Sequence, residues 1–271
     1  MLDVALYSRG RPWAAPWLDA FALGLERHGI KASIEDAATP RDCDLAVFWG
    51  HREAAIIERQ RTNGGHYLVA ECSYLADRLA MVSLGFDGLN GRADFVNADV
   101  PGDRWERHFA PLMAPAWRTE GTGWYVLLCG QVATDQAVAH VDIAAWYAET
   151  AQRLQGLGYR VRFRPHPKSR GGVNLPGVEI SIASLADDLA GAAFAVTFNS
   201  NSAVDAALAG VPVIACDPGS MAWAIAGHDV GEAPPRLMRR TWAHRLAYCQ
   251  WNDDEVRGGD AWAHLKRKFE D

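Results

Sequence analysis

Several things are scarce in this chain of 271 residues, and each scarcity narrows what it can be. No window approaches the apolar length that a membrane-spanning helix needs. The first residues lack a charged segment followed by an apolar run, so no export signal is expected and the protein is expected to be cytoplasmic. Basic residues are outnumbered, with 27 Lys and Arg against 33 Asp and Glu and a formal net charge of −6. That argues against a broad basic surface for nucleic acid and leaves only a local groove open. Cysteines are few and odd in number: Cys43, Cys72, Cys129, Cys216 and Cys249 are scattered without metal-ligand spacing. Buried reduced thiols are the expected reading. No internal repeat or low-complexity tract is apparent.

What is present is apolar mass, about half of the residues, arranged as strands alternating with helices. Asp3-Val4-Ala5-Leu6-Tyr7, Asp44–Trp49 and His66–Glu71 read as buried strands, with helices over Trp17–His28 and Glu53–Arg61. Alternation of this kind implies a parallel sheet with crossover connections. The stretch 97–122 is rich in Pro, Gly and charge and reads as a linker. A second half opens with the strand Trp124–Gln131 and a helix over Ile143–Leu157. The basic strand Arg160–Arg164, a short helix near Ser184–Ala190, and the strands Ala193–Thr197 and Val211–Ile214 follow. Helices are expected over Trp242–Trp251 and Asp260–Phe269. The expected division is 1–115 for an N-terminal Rossmann-like domain, 123–235 for a second one, and 236–271 for a helical tail packing back on the core.

Two segments carry chemistry. Phe198-Asn199-Ser200-Asn201-Ser202 ends a buried strand and opens a small-residue helix that stops at Gly210 before Val211-Pro212-Val213. Ser200, Asn201 and Ser202 supply N-cap chemistry, and the free N–H groups beside them would suit a phosphate. The alternative is an ordinary capped helix between two strands. The other segment is Arg164-Pro165-His166-Pro167-Lys168, where two prolines stiffen a loop at a strand end and hold His166 between them. Arg160, Arg162 and Arg164 share one strand face, which reads as the solvated face of an edge strand.

Together these segments resemble the nucleotide-binding half of two-domain GT-B glycosyltransferases, above all bacterial polysaccharide enzymes that use Kdo or related donors. The matching residues are Arg164, Pro165, His166 and Pro167, then Asn199, Ser200, Asn201 and Ser202, then Gly210, Val211 and Pro212, within residues 124–220. The resemblance implies an α/β fold of two Rossmann-like parallel-sheet halves with a C-terminal helical tail. It implies that the His-Pro loop contacts the nucleotide and that the Ser/Asn turn holds its phosphate.

Ligands of open α/β sheets bind beyond the carboxyl ends of the strands. That rule collects Ser8–Arg11, Gly50-His51 and Glu71–Ser73 in the first half. In the second it collects Gly130, Gln131, Arg164–Lys168, Asn199–Ser202 and Asp217–Ser220, with a donor expected there and an acceptor on the first half. The donor-side residues are thus Gly130, Gln131, Arg164, His166, Pro167, Lys168, Asn199, Ser200, Asn201, Ser202 and Asp205. Ser200, Asn201 and Ser202 with Lys168 or Arg164 would stabilise a leaving phosphate. No Asp-x-Asp stands where a metal-bound diphosphate is usually held, so no metal and no cofactor is expected. An inverting reaction needs a base. Glu71 at a strand end is one candidate; its other reading is a carboxylate paired with Arg78. His51 and Asp19 are the others, although a carboxylate early in a helix has an ordinary structural role. The loop Gly85–Phe95 reads as a structural turn or as an acceptor wall. Of eleven tryptophans, Trp13, Trp17, Trp49 and Trp223 fall near the strand-end loops, whereas Trp146, Trp242 and Trp262 take helical core positions.

The expected partners are a nucleotide-sugar donor and a glycan acceptor, with a modified DNA base, as in phage transferases, as the other acceptor class. The readings kept beside transfer are a nucleotide-sugar epimerase or hydrolase on the same scaffold and a catalytically silent nucleotide-binding module.

Overall fold

A computed structural model describes residues 2–8, 14–169 and 173–270. The expected loop residues Arg9, Gly10, Arg11 and Trp13 lie outside them. In chain order the elements are β1 Val4–Ser8, α1 Ala15–Glu26, β2 Ala32–Asp36, β3 Leu45–Trp49, α2 Ala54–Asn63, β4 His66–Cys72 and β5 Val82–Phe86. Then come α3 Asp103–His108, β6 Tyr125–Cys129, α4 Ile143–Gly156, β7 Val161–Arg164, β8 Glu179–Ile180, α5 Leu185–Gly191 and β9 Ala192–Thr197. The last are α6 Ser202–Leu208, β10 Val213–Ala215, α7 Arg240–Ala247, β11 Gln250–Trp251, α8 Asp253–Gly258 and α9 Asp260–Leu265.

The chain forms two compact units. One comprises Met1–Arg104 with His244–Asp271, and the other Trp105–Ala243. The chain passes from the first to the second inside the stretch read as a linker, where α3 has formed.

The first unit is built on a six-stranded sheet of order β11-β5-β4-β3-β1-β2. Its β2-β1-β3-β4 part is parallel, as alternating strands and helices require, but β5 pairs antiparallel with both β4 and β11. The first half is the expected parallel-rich sheet, with an antiparallel strand added at its edge. Val82-Ser83-Leu84-Gly85-Phe86 is buried throughout, so it needs no alternation, and its glycine made it read as loop. Gly85 is required because a Cβ would stand 2.7 Å from Ala93 Cβ and from the Phe95 ring. Gln250 and Trp251 end no helix; α7 stops at Ala247 and these two residues pair with Ser83 and Val82. The expected helix over Asp260–Phe269 likewise ends at Leu265 and tightens into a 3-10 turn over Lys266–Phe269. β2 went unread because Ala-Ser-Ile-Glu-Asp is a half-exposed edge strand with little apolar signal. One core cluster joins Val4, Leu6, Phe21, Leu25, Leu68 and Leu84 to Val256, Trp262 and Leu265, which attaches the C-terminal helices to this sheet. Buried Arg104 adds a fork onto Glu255 and a cation–π contact 4.0 Å from the Trp251 ring centroid.

The second unit has a five-stranded sheet of order β10-β9-β6-β7-β8, parallel throughout. One face, with Val126, Leu128, Val161, Phe163, Val196 and Ile214, packs on Ile143, Tyr147, Ala151 and Leu154 of α4. Burial of side chains of this size contributes about 1.5–3 kcal/mol each before the entropy of ordering is counted. Among the described residues no helix is long and apolar enough to cross a membrane.

Candidate functional site

In the second unit β6 is central. The chain leaves it through α4 to reach β7 and β8 on one side, then returns through α5 to β9 and β10 on the other. Strand order therefore reverses between β6 and β9, and open α/β sheets bind ligands outside the carboxyl ends at such a point. The residues there are Gly130 and Gln131 after β6, Pro165–Ser169 after β7, and Asn199–Ser202 after β9.

Gly130 donates its N–H to Arg164 O at 2.8 Å. A Cβ there would lie 3.0–3.2 Å from the Phe163 ring, Arg164 O and His166 N, so a side chain would press the start of the His-Pro loop away from β6. Gln131 and Asn199 hold each other. Gln131 Nε2 donates to Asn199 Oδ1 at 2.6 Å, and the Asn199 N–H donates to Gln131 Oε1 at 3.0 Å. Asn199 Nδ2 donates to Ala137 O and to Asp217 Oδ1, both at 2.8 Å. Gly219 N–H also donates to Asp217 Oδ1 at 2.8 Å, and His140 Nε2 lies 3.1 Å from Asp217 Oδ2. Asn199 and Asp217 are buried, so both are positioning residues that lock the ends of β6, β9 and β10 together. A satisfied buried network of this kind is rigid.

His166 accepts the Lys168 N–H at Nδ1, 3.1 Å away, while its carbonyl accepts the Ser169 N–H at 2.8 Å. With Nδ1 an acceptor, the neutral ring carries its proton on Nε2, where it can donate to an anion. Pro167 and Lys168 are exposed, and the Lys168 ammonium has no partner among the described residues. Ser200, Asn201 and Ser202 are half-buried. The expected side-chain N-cap is corrected: Asn201 occupies the cap position with helical backbone angles and its side chain makes no cap hydrogen bond. Ser200 Oγ instead accepts from the Ser202 N–H at 3.3 Å and from the Ser202 hydroxyl at 2.9 Å. Beneath the turn, burial pushes the Cys129 thiol up to about 12, so it stays neutral beside the Ser202 hydroxyl. Asp205 lies half-buried in the first turn of α6, where its carboxylate interacts favourably with the helix dipole.

Arg164 takes a different place. Its guanidinium meets Asp188 Oδ2 at 3.0 Å and donates to the Ala183 carbonyl. Arg162 stacks 3.9 Å over the Tyr125 ring and pairs with Glu179 at 2.7 Å and Asp188 at 3.4 Å. The solvated edge face read from these arginines is corrected. β7 lies between β6 and β8, and the two guanidiniums flank Asp188, which is 0% exposed and also accepts from Ser181 Oγ. Arg160 alone is exposed. Asp188, His140 and Tyr147, whose hydroxyl accepts the Gln131 N–H at 2.6 Å, were missed. They stand far along the chain from their partners and carry no motif.

In the first unit the order reverses between β1 and β3, and the carboxyl ends of β3 and β4 adjoin, with the Gly50 N–H on Ala70 O at 2.9 Å. His51 and Glu71 are thus brought to one rim. His51 Nε2 is buried without a partner among the described residues and the ring leans on Tyr67, centroids 5.9 Å apart. Burial, with the charge of Arg61 behind it, holds its pKa below the usual histidine value. Half-buried Glu71 accepts the Cys72 N–H at 3.3 Å and lines a crevice too tight for a water molecule with Tyr74, Ser83, Asn90 and Phe95. The Gly85–Phe95 stretch therefore faces Glu71, but Gly85 and Phe86 are strand and Asn90–Arg92 a 3-10 turn. The Arg78 Nε–H donates to Ser73 O at 3.1 Å. Asp19 is not at this rim; it is exposed on α1, where its charge acts on Arg257 of α8. Trp17 and Trp49 pack against the core, and Trp223 stacks on His228 at 3.5 Å. No group of three or more metal-ligating side chains occurs among the described residues.

No protein-family model matches the chain, and no curated protein sequence matches it. Solved structures do. The beta Kdo 2,4 transferase of Thermosulfurimonas dismutans KpsC is similar with a TM-score of 0.64 and 14% identity, over 95% of this chain and 98% of that one. The beta Kdo 2,7 transferase of the same KpsC is similar with a TM-score of 0.59 and 14% identity, over 97% and 99%. At that identity the likeness is one of fold, and the chain has the two-part, GT-B-type α/β fold of these Kdo transferases.

Proposed function

We propose that this chain is a glycosyltransferase that moves a sugar from a nucleotide-activated donor to a hydroxyl acceptor. The observation that carries the reading is the convergence of the His166 loop and the Ser200–Ser202 turn at the strand-order reversal of the second unit. The Gln131–Asn199–Asp217 network anchors the turn, and the Gly130 N–H on Arg164 O ties the start of the loop to β6.

In the reaction, the bond between the anomeric carbon and the donor phosphate oxygen breaks as the acceptor oxygen attacks that carbon. The phosphate leaves with the bonding electrons, and its added charge is stabilised by groups already oriented toward it. The His166 ring N–H, the Lys168 ammonium and the hydroxyls and backbone N–H groups of Ser200–Ser202 serve that role, without a metal. Gly130, Gln131, Asn199 and Arg164 shape the rim, and Asp205 sets the anion's limit on the helix side. The acceptor hydroxyl gives its proton to a base, for which Glu71 stands ahead of His51, and the anomeric centre inverts. The acceptor is a glycan hydroxyl; the excess of acidic residues speaks against a DNA base. In this scheme the unit of Met1–Arg104 with His244–Asp271 carries the acceptor side and the unit Trp105–Ala243 the donor side.

The test is calorimetric titration of CMP, CDP, UDP, GDP and their sugars, with EDTA present, followed by transfer assays on whichever binds. One nucleotide should bind, and His166→Ala should weaken it about tenfold with little change in melting temperature. A chain that binds none of them is not this enzyme.

A further inference from the structure

At the opposite end of the second unit's sheet, the amino ends of β6, β7 and β9 frame a different hollow. Trp124 stands at its centre, 81% exposed although its backbone N–H donates to Gly191 O at 2.9 Å. It borders two adjoining cavities, of about 450 Å³ and about 400 Å³. Tyr159, 42% exposed and braced edge-on against Phe194 at 5.2 Å, lines the larger one. The floor is backbone, since Gly121, Gly123 and Gly158 offer no side chains there. Gly123 cannot be otherwise: its φ is +99° and a Cβ would lie 2.4 Å from Ala193 N.

The charge of this hollow is opposite in sign to that of the whole chain. Arg160 and Arg236 line the larger cavity and Arg118 the smaller one. The Arg160 guanidinium has no partner among the described residues. Arg236 leans on Arg118 O at 3.1 Å and meets the one carboxylate there, Glu120, only at 3.9 Å. Glu120 is itself 84% exposed, so it neutralises little.

An exposed indole offers a flat apolar face with a polar edge, which suits it to stacking contacts. A flat ring bordering two cavities of sugar size suits pyranose rings stacked by their apolar faces. Guanidinium forks beside it suit planar carboxylates, which they bind in a bidentate manner. We propose that this hollow is a second binding site, separate from the donor rim, for an oligosaccharide of carboxylate-bearing sugars. Trp124 and Tyr159 form the stacking platform, and Arg160 and Arg236 hold the acidic groups. The site stands whether or not the donor rim carries transfer.

The experiment titrates the full chain with oligogalacturonate, oligomannuronate and oligosialate tetramers, with maltotetraose as the neutral control and a single-stranded DNA of similar charge. At least one acidic tetramer should bind, at least tenfold more tightly than maltotetraose and more tightly than the DNA. Trp124→Ala should weaken it about tenfold and Arg160→Gln several-fold, with unchanged melting temperature. Nucleotide affinity, measured on the same variants, should not move. The assignment is overturned if no acidic tetramer binds, if the neutral one or the DNA binds as well, or if Trp124→Ala leaves binding intact. A parallel loss of nucleotide affinity overturns it too, because the variant would then be acting through the fold.

Discussion

The carboxyl-end rims of the two units are built on the same topological plan and finished differently. Around β6 and β9 the buried polar groups are paired with one another, and the groups left toward solvent include the His166 ring, the Lys168 ammonium and the Ser200 and Ser202 hydroxyls. Around β3 and β4 the titratable groups are His51, with a buried and unpartnered Nε2, and Glu71 beside a narrow space. The first arrangement is preorganised for a fixed anion. The second carries the proton-accepting groups that an anion site would exclude. In the proposed scheme the first rim binds the donor and the second takes the proton, and that division can be broken residue by residue.

The largest expected effect is at Glu71. Glu71→Gln should lower turnover by roughly 10²–10⁴-fold in transfer assays while nucleotide affinity stays as in the parent. Loss of nucleotide binding instead would erase the distinction between the rims. On the other rim, Ser200→Ala with Ser202→Ala removes two hydroxyl contacts to a charged group. Calorimetry should show nucleotide binding weaker by about 2–4 kcal/mol, with normal thermal unfolding.

Arg164 sharpens the comparison from within. As a partner of fully buried Asp188, Arg164→Gln should cost stability, about 1–3 kcal/mol in denaturant unfolding. At a temperature where the variant is folded, its nucleotide affinity should match the parent; a selective affinity loss would move Arg164 into the anion site.

The last effect, absent at neutral pH, is a pH dependence from the first unit. His264 is buried, its Nε2 lies 3.0 Å from Phe95 O and its Nδ1 faces Arg267 at 3.0 Å. Nε2 is therefore the donor and Nδ1 the acceptor, a neutral ring that resists a second proton. Burial is the main cause, with the nearby arginine charges adding to it, and its pKa falls to about 4. The unfolded chain, with an ordinary histidine near 6.5, binds the proton first, so stability is intact above about pH 6.5 and declines as pH falls toward 4. The drop from this one group should reach at most about 3 kcal/mol. His264→Gln should flatten that part of the pH–stability curve; an unchanged slope would assign the proton uptake elsewhere.

Much of this was legible in the sequence. Period and burial pattern located β1, β3, β4, β6, β7 and β9, and α4 was read from Ile143 to within a residue of its end at Gly156. Those elements are encoded locally, because a buried parallel strand is an unbroken apolar run and a helix stops where glycine follows. The placement of the His-Pro loop and the Ser/Asn turn at strand ends was equally local. Other features depend on residues that are distant in sequence. β11 is a strand only because β5 offers it an edge, and β5 is buried only because β4 and the C-terminal helices cover it. Three arginines on one strand looked solvated until Asp188, on a helix further along, turned out to be buried among two of them. Gln131 and Asn199 looked like ligand groups until each was found to satisfy the other. Local chain chemistry thus determined which segments are strands, helices and tight loops. Only tertiary packing decided which polar side chains face a ligand and which face one another, because a buried polar group must find its partner wherever the fold brings one.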